Sequence, residues 1–194
     1  MRYKVLADSL GIILSFFAVS FIVPIITGLL FSESVVWLLA VFGFPALLTF
    51  LLGFVLATVA RGYSEQLRDR EAFTTVAVAW LIIALFGSLP YIISGTIADP
   101  VSAYFESMSG FATVGSTVIT DLESVPRSVL MWRSLTQWMG GMGIIVMSIV
   151  VLARVMGRGA AFLFKAEVAG HTITRLKPKI AETARTLWLI YFIF

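Results

Sequence analysis

The residues best suited to chemistry form a short run, Thr113-Val114-Gly115-Ser116, within a charge-free stretch of 14 residues, 107–120. A stretch of this length is too short to cross a bilayer as a helix, but it suits a re-entrant or interfacial segment. Backbone carbonyls of such a run can replace the water around a bare cation, and Gly115 permits backbone angles that other residues resist. The run therefore predicts a cation site whose ligands are mainly main-chain oxygens.

Other kinds of site are excluded by composition. The 194 residues include no cysteine and one histidine, so thiol chemistry, disulfides and multi-histidine metal sites are ruled out within one chain. With 59% hydrophobic and 13% charged residues, against about 45–50% and 25% in soluble domains, the chain suits neither a water-soluble enzyme nor a disordered protein. No catalytic residue and no organic cofactor is predicted, and a net charge of +3 is small for a nucleic-acid binder.

A short helix is predicted to lead into this run. Asp99-Pro100 is a favourable helix start, and the pattern continues to Ala112, about 20 Å at 1.5 Å per residue. Its C-terminus carries partial negative charge and would face the run, which is the layout of a pore helix followed by an ion filter. An outer loop lying on the membrane surface is the alternative. One stripe of the helix is apolar: Tyr104, Met108 and Phe111.

An ionisable group on this helix needs an explanation. Glu106 at membrane depth is costly and should have a partner, for which Arg133 is the candidate. Alternatively, Glu106 raises the cation concentration near an outer mouth. Trp132 is a candidate anchor at the membrane interface.

Four longer charge-free stretches, of 24, 27, 27 and 20 residues, are predicted to span a membrane as helices: Ser9–Ser32, Ser34–Ala60, Ala72–Ala98 and Ser134–Ala153. Gly53 lies inside an ordinary span, where serine should leave ion selectivity unchanged. The final residues, 186–194, look like the opening of a further helix, so the sequence is expected to be a truncated piece.

Twelve of the 14 Lys and Arg residues flank the spans on one side, and only Arg127 and Arg133 fall on the other. By the positive-inside rule the N-terminus is cytoplasmic.

Three blocks, in order, resemble one family. The segment "FESMSGFATVGST" resembles the first pore loop of the Trk/Ktr/HKT potassium transporters. "SLTQWMGGMGIIV" resembles the following helix of the bacterial Trk membrane subunit, and "KPKIAETARTLWLIY" resembles the entry to its second repeat. The resemblance covers nearly the entire chain.

The resemblance implies an all-α integral membrane protein of the bacterial inner membrane. A helix–pore-helix–filter–helix repeat would follow an extra two-helix hairpin. The corresponding segments are an N-terminal pair (1–62), a cytoplasmic loop (63–71), the first repeat (72–154, with a re-entrant loop at about 99–120), a basic cytoplasmic loop (155–183) and the start of a second repeat (184–194).

Function and partners are implied in the same way. The family takes up potassium through four filter segments in one polypeptide, and here Thr113, Val114, Gly115 and Ser116 would supply one of them. Potassium would be the transported ion, and the partners would be the remaining repeats, a second copy, the lipid bilayer and a cytoplasmic nucleotide-binding regulatory subunit. The alternatives are a non-conducting membrane scaffold and a sodium-permeable relative on the same fold.

The orientation can be tested with single cysteines in the full-length protein. We expect an impermeant thiol reagent applied outside whole cells to label Ser34→Cys and Ser124→Cys but not Ser64→Cys, because 61–71 carries three arginines and should be cytoplasmic. Labelling of Ser64→Cys from outside would contradict the predicted orientation.

Overall fold

The structure, a computed structural model, describes residues 3–60, 69–143, 186 and 189–193. Every regular element in these ranges is helical. The chain forms two compact units, Met1–Trp138 and Met139–Phe194. The short helix and the candidate run belong to the first unit.

The first predicted span is two helices, α1 (Tyr3–Val19) and α2 (Ile22–Leu30). Pro24 has no N–H to donate to the Ser20 carbonyl, which accepts instead from the Val23 amide at 3.2 Å. The Ser20 hydroxyl also donates to the Phe17 carbonyl at 2.7 Å. The first span therefore contains a short break between α1 and α2, and 3–30 as a whole is apolar and long enough to cross a membrane, in agreement with the prediction.

The second span contains a π-helical turn. Helix α3 (Val35–Leu38) leads into the π-turn Leu39–Gly43, and α4 (Phe44–Val59) follows. Pro45 lies at the second residue of α4, where its missing N–H breaks the regular i to i−4 ladder. The whole segment, 35–59, is apolar and long enough to span, close to the predicted bounds.

The remaining helices form the rest of the bundle. Helix α5 (Asp69–Ile93) covers most of the third predicted span, and α6 (Pro100–Phe111) is the predicted short helix. Helix α5 ends five residues before the predicted limit because Gly95, with φ +76°, turns the chain out of the helix. A seventh helix, α7, covers 127–143 and so includes the first half of the fourth predicted span.

Several predictions lie outside the described residues. They include the second half of the fourth span (144–153), the basic loop (155–183) and most of the loop at 63–71. Of the second repeat's predicted start, 184–194, the structure describes residues 186 and 189–193, which are helical.

An aromatic cluster joins α7 to the N-terminal helices. Trp132 is fully buried and stacks on Phe21 with ring centroids 4.4 Å apart. Phe17 and Phe42 lie beside the same ring, and the indole N–H donates to the Gly87 carbonyl of α5 at 2.9 Å. The prediction that Trp132 is an interface anchor is wrong, because its indole N–H finds its partner inside the bundle.

A second contact joins the turn after α2 to the start of α7. The Glu33 carboxylate accepts from the Ser128 amide at 3.2 Å and from the Ser128 hydroxyl at 2.5 Å. An acidic group at a helix N-terminus is stabilised by the free N–H groups and the helix dipole. The turns predicted to lie on the outer side, 32–34 and 121–126, are thus at the same end of the bundle.

Helices α1 and α4 approach each other through small residues. A Cβ on Gly53 would lie 2.8 Å from the Gly11 carbonyl oxygen and 2.8 Å from the Ser15 amide nitrogen. A Cβ on Gly11 would in turn meet the Ala57 backbone at 2.5 Å. Small residues at such spacing let membrane helices pack backbone to backbone. Gly53 is therefore not a neutral position.

We expect Gly53→Val in the full-length protein to lower stability by about 1–3 kcal/mol, the usual cost of overpacking. The measurement is the midpoint of thermal unfolding in detergent. Leu51→Val, at a side chain that is 49% exposed, is the matched control. Equal midpoints for the two variants would show that α1 and α4 do not need this close approach.

Candidate cation-coordinating segment

Helix α6 begins at the predicted Asp99-Pro100 start. The Asp99 carboxylate accepts from the Ser102 amide at 2.8 Å and the Ser102 hydroxyl at 2.6 Å. These hydrogen bonds favour the charged form and lower the pKa of the Asp99 carboxyl. The cap is therefore complete at neutral pH and is lost only as the pH falls through this lowered pKa. The predicted N-cap is confirmed.

The buried face of α6 consists mostly of small and polar residues, and the apolar stripe of this helix is only partly buried. Ala103, Glu106, Ser107, Ser109, Gly110 and Phe111 are buried. Of the stripe, Phe111 is buried, whereas Tyr104 and Met108 are partly exposed. Small residues bring α6 close to both neighbours: a Cβ on Gly110 would overlap the Thr136 hydroxyl of α7, and one on Gly87 of α5 would lie 2.7 Å from the Ser107 hydroxyl.

Helix α6 ends in a Schellman motif formed around Thr113. The Val114 amide donates to the Ser109 carbonyl at 3.0 Å and the Thr113 amide donates to the Gly110 carbonyl at 2.9 Å. Thr113 has φ +55°, a left-handed conformation that costs about 1–2 kcal/mol for a residue with a Cβ. Glycine is the usual residue at this position, and the sequence carries no signal for threonine there.

The carbonyls that follow this cap are free. Within residues 3–60 and 69–143, no group donates a hydrogen bond to the carbonyl oxygens of Thr113, Val114 or Gly115. Gly115 has φ +77°, and no atom lies within 4 Å of the place its Cβ would occupy. All four residues of the run are exposed in this chain. The Ser116 carbonyl differs, because it accepts from the Ser109 hydroxyl at 2.6 Å.

The chain leaving the run is anchored by Glu106. Its carboxylate accepts from the Thr117 hydroxyl at 3.0 Å to each oxygen and from the Val118 amide at 2.9 Å. The Arg133 Nε of α7 donates to the same carboxylate at 2.8 Å. The predicted Glu106–Arg133 pair is confirmed, and the Glu106 side chain is only 1% exposed. The alternative, that Glu106 raises the cation concentration near an outer mouth, stays a prediction. Sequence reasoning missed Thr117 and Ser109 because a hydroxyl that bonds a carboxylate or a backbone carbonyl leaves no periodic signal.

In the described part of the chain, three successive carbonyl oxygens at the negative end of a helix have no hydrogen-bond donor. Oxygens of this kind are the ligands of cation selectivity filters. Among the described residues, no group of three or more His, Cys, Asp or Glu side chains is arranged to hold a metal.

A family model of cation transport proteins, TrkH, matches residues 27–194. The chain belongs to the TrkH family of cation transport proteins. It is 36% identical over 193 residues to the Trk system potassium uptake protein TrkH of Halomonas elongata, covering 98% of this chain and 39% of that one. An uncharacterized cation transporter of Methanocaldococcus jannaschii is 34% identical over 185 residues, covering 95% and 37% of the two chains.

The fold agrees with the family. The crystal structure of the potassium transporter TrkH from Vibrio parahaemolyticus superimposes with a TM-score of 0.78 and 31% identity, over 99% of this chain and 37% of that one. The predicted all-α membrane fold is thereby confirmed. The chain spans about two fifths of the length of the TrkH relatives that it matches. The TrkH family is one of membrane cation transporters and not of enzymes.

Proposed function

We propose that the TrkH-family protein containing this chain takes up potassium across the membrane, and that residues 113–116 are one of four filter segments around a single ion path. The observation that carries the proposal is the set of unpaired carbonyls at Thr113, Val114 and Gly115 directly after α6. Potassium is the ion in the names of the TrkH relatives from Halomonas elongata and Vibrio parahaemolyticus.

The physical reason for expecting potassium lies in the carbonyl oxygens that would bind the ion. A carbonyl oxygen is a neutral dipole, and a cage of such oxygens can substitute for the hydration shell of a cation. Potassium gives up its water more cheaply than sodium does, so a cage of fixed dipoles favours potassium. The helix dipole of α6 adds negative potential at the same place, and no covalent chemistry is required.

A run of three carbonyls serves one quarter of such a cage. We therefore propose that the remaining repeats of the same polypeptide supply the other three segments, and that the protein acts as a homodimer in the bacterial inner membrane with its N-terminus in the cytoplasm. A non-conducting scaffold has no use for exposed, unpaired carbonyls held in costly backbone conformations. A sodium-permeable relative would use the same segment and differ only in selectivity.

The filter is tested by Gly115→Ser in the full-length protein. Its control is Gly95→Ser, because both glycines have φ near +77° and open space at Cβ. Each serine therefore meets the same backbone penalty of about 1–2 kcal/mol, and only the location differs. We expect Gly115→Ser to insert and assemble but to lose potassium preference, whereas Gly95→Ser keeps it.

The measurement is potassium and sodium flux in proteoliposomes at matched protein content. A wild-type flux ratio in Gly115→Ser would show that 113–116 is not the filter. An equal loss in both variants would point to a general effect of backbone strain.

We further propose that the basic loop at 155–183 contacts a cytoplasmic nucleotide-binding regulatory subunit. This loop carries Lys177 and Lys179 and lies outside the described residues. Attraction to anionic lipid is the competing role for its charge.

Reversing Lys177 and Lys179 to Glu in the full-length protein should weaken co-purification of that subunit, because the positive charges would no longer complement it. The loss should be larger at low salt. If co-purification is unchanged at every salt concentration, the charge serves the lipid surface alone.

A further inference from the structure

The candidate filter run is held at both ends and unsupported between them. Its start is fixed by the Schellman motif around Thr113, and its exit is fixed at Ser116, Thr117 and Val118. Two side chains of α6 make all the exit contacts: Ser109 binds the Ser116 carbonyl, and Glu106 binds Thr117 and Val118. The directions of the three free carbonyls therefore depend on where these side chains hold the exit.

The hydrogen bonds that hold the exit of the run need a carboxylate at position 106. Three donors converge on Glu106: a hydroxyl, a backbone amide and a guanidinium. A carboxylate offers about four acceptor sites on two oxygens, whereas a glutamine amide offers one oxygen and presents two donors of its own. Glutamine at position 106 would therefore leave at least one of the three donors unpaired in a buried place.

Arg133 balances the charge of that carboxylate. An isolated carboxylate at membrane depth is strongly disfavoured, and the Arg133 Nε lies 2.8 Å from Glu106 with the arginine side chain 20% exposed. Because the pair is close to neutral as a whole, it adds little long-range attraction for cations. The carboxylate is thus suited to setting geometry and poorly suited to concentrating ions.

We infer that Glu106 is the positioning residue of the proposed filter segment. Its carboxylate fixes the exit of the run through Thr117 and Val118 and thereby sets the directions of the Thr113–Gly115 carbonyls, while Arg133 holds the carboxylate in place. The inference rests on the proposed function, since it assigns the means by which that filter keeps its shape.

The test compares two variants that weaken the anchor in different ways. Glu106→Gln removes the charge and acceptor sites, and Thr117→Val removes one donor while leaving the Glu106–Arg133 pair intact. The control is Glu123→Gln, an exposed acid in the same outer segment whose side chain makes no hydrogen bond within the described residues. All are made in the full-length protein and reconstituted in proteoliposomes at matched protein content.

We expect both anchor variants to lower the potassium-to-sodium flux ratio by roughly three- to tenfold, which corresponds to the net contribution of about one hydrogen bond. Their half-saturating potassium concentration should depend on ionic strength as in the wild type. Glu123→Gln should keep the wild-type ratio.

An effect of charge on potassium affinity, in place of a change in the flux ratio, would overturn the inference. If Glu106 acts through its charge at the mouth, Glu106→Gln raises the half-saturating potassium concentration at low salt only, and Thr117→Val behaves as the wild type. If Glu106→Gln does not assemble, Thr117→Val decides alone, and an unchanged flux ratio counts against the anchor.

The Gly115→Ser result separates this inference from the proposed function. A loss of selectivity in Gly115→Ser with none in Thr117→Val would support the proposed filter and contradict the role of Glu106 as its anchor. Unchanged selectivity in Gly115→Ser would contradict the proposed filter itself.

Discussion

Unpaired main-chain carbonyls are tolerated at membrane depth only where they are buried in protein or line a water-filled cavity. In the part of the chain that the structure describes, the three carbonyls at 113–115 have no hydrogen-bond donor, and the proposed filter would use all three. Leaving these oxygens free means that the segment cannot be held by ordinary helix or sheet hydrogen bonds. Its conformation must come from its two ends and from backbone angles that are unfavourable for threonine. The left-handed Thr113 and Gly115, the hydroxyl of Ser109 and the carboxylate of Glu106 all serve this single requirement.

The helices packed around α6 help to hold the Glu106 carboxylate in place. Arg133 reaches Glu106 from α7, and the next residue toward the N-terminus, Trp132, is buried against Phe21 and bonded to the Gly87 carbonyl. The N-terminal helices therefore contact the helix that carries the arginine, and they belong to the same packed unit as α6.

The sequence predicted those features that depend on charge, caps and length. The Asp99 cap and the Glu106–Arg133 pair follow from the cost of unpaired polar groups in an apolar chain, and the structure has both. Which face of an apolar helix is buried could not be predicted, because lipid-facing and protein-facing residues are equally apolar. The interface position of Trp132 was misassigned for this reason.

Two other features have causes that a periodicity analysis does not register. The break at Ser20 comes from one missing amide, that of Pro24, inside a stretch that is apolar throughout. The left-handed Thr113 appears only once the hydrogen bonds of the helix end are known. The roles of 113–116 as ion ligands remain a prediction, supported by their free oxygens.

The contact between Glu33 and Ser128 sets an order of events during synthesis. The two residues are 95 positions apart, so at about 5–20 residues per second the serine is made roughly 5–20 s after the glutamate. Once α4 has been made, α1 and α4 can pack through Gly11 and Gly53, since this contact needs no later residue. The nascent α7 then meets a surface of Phe17, Phe21 and Phe42 that is already assembled. The N-terminal helices are thus available as a packing surface before the helices that follow them.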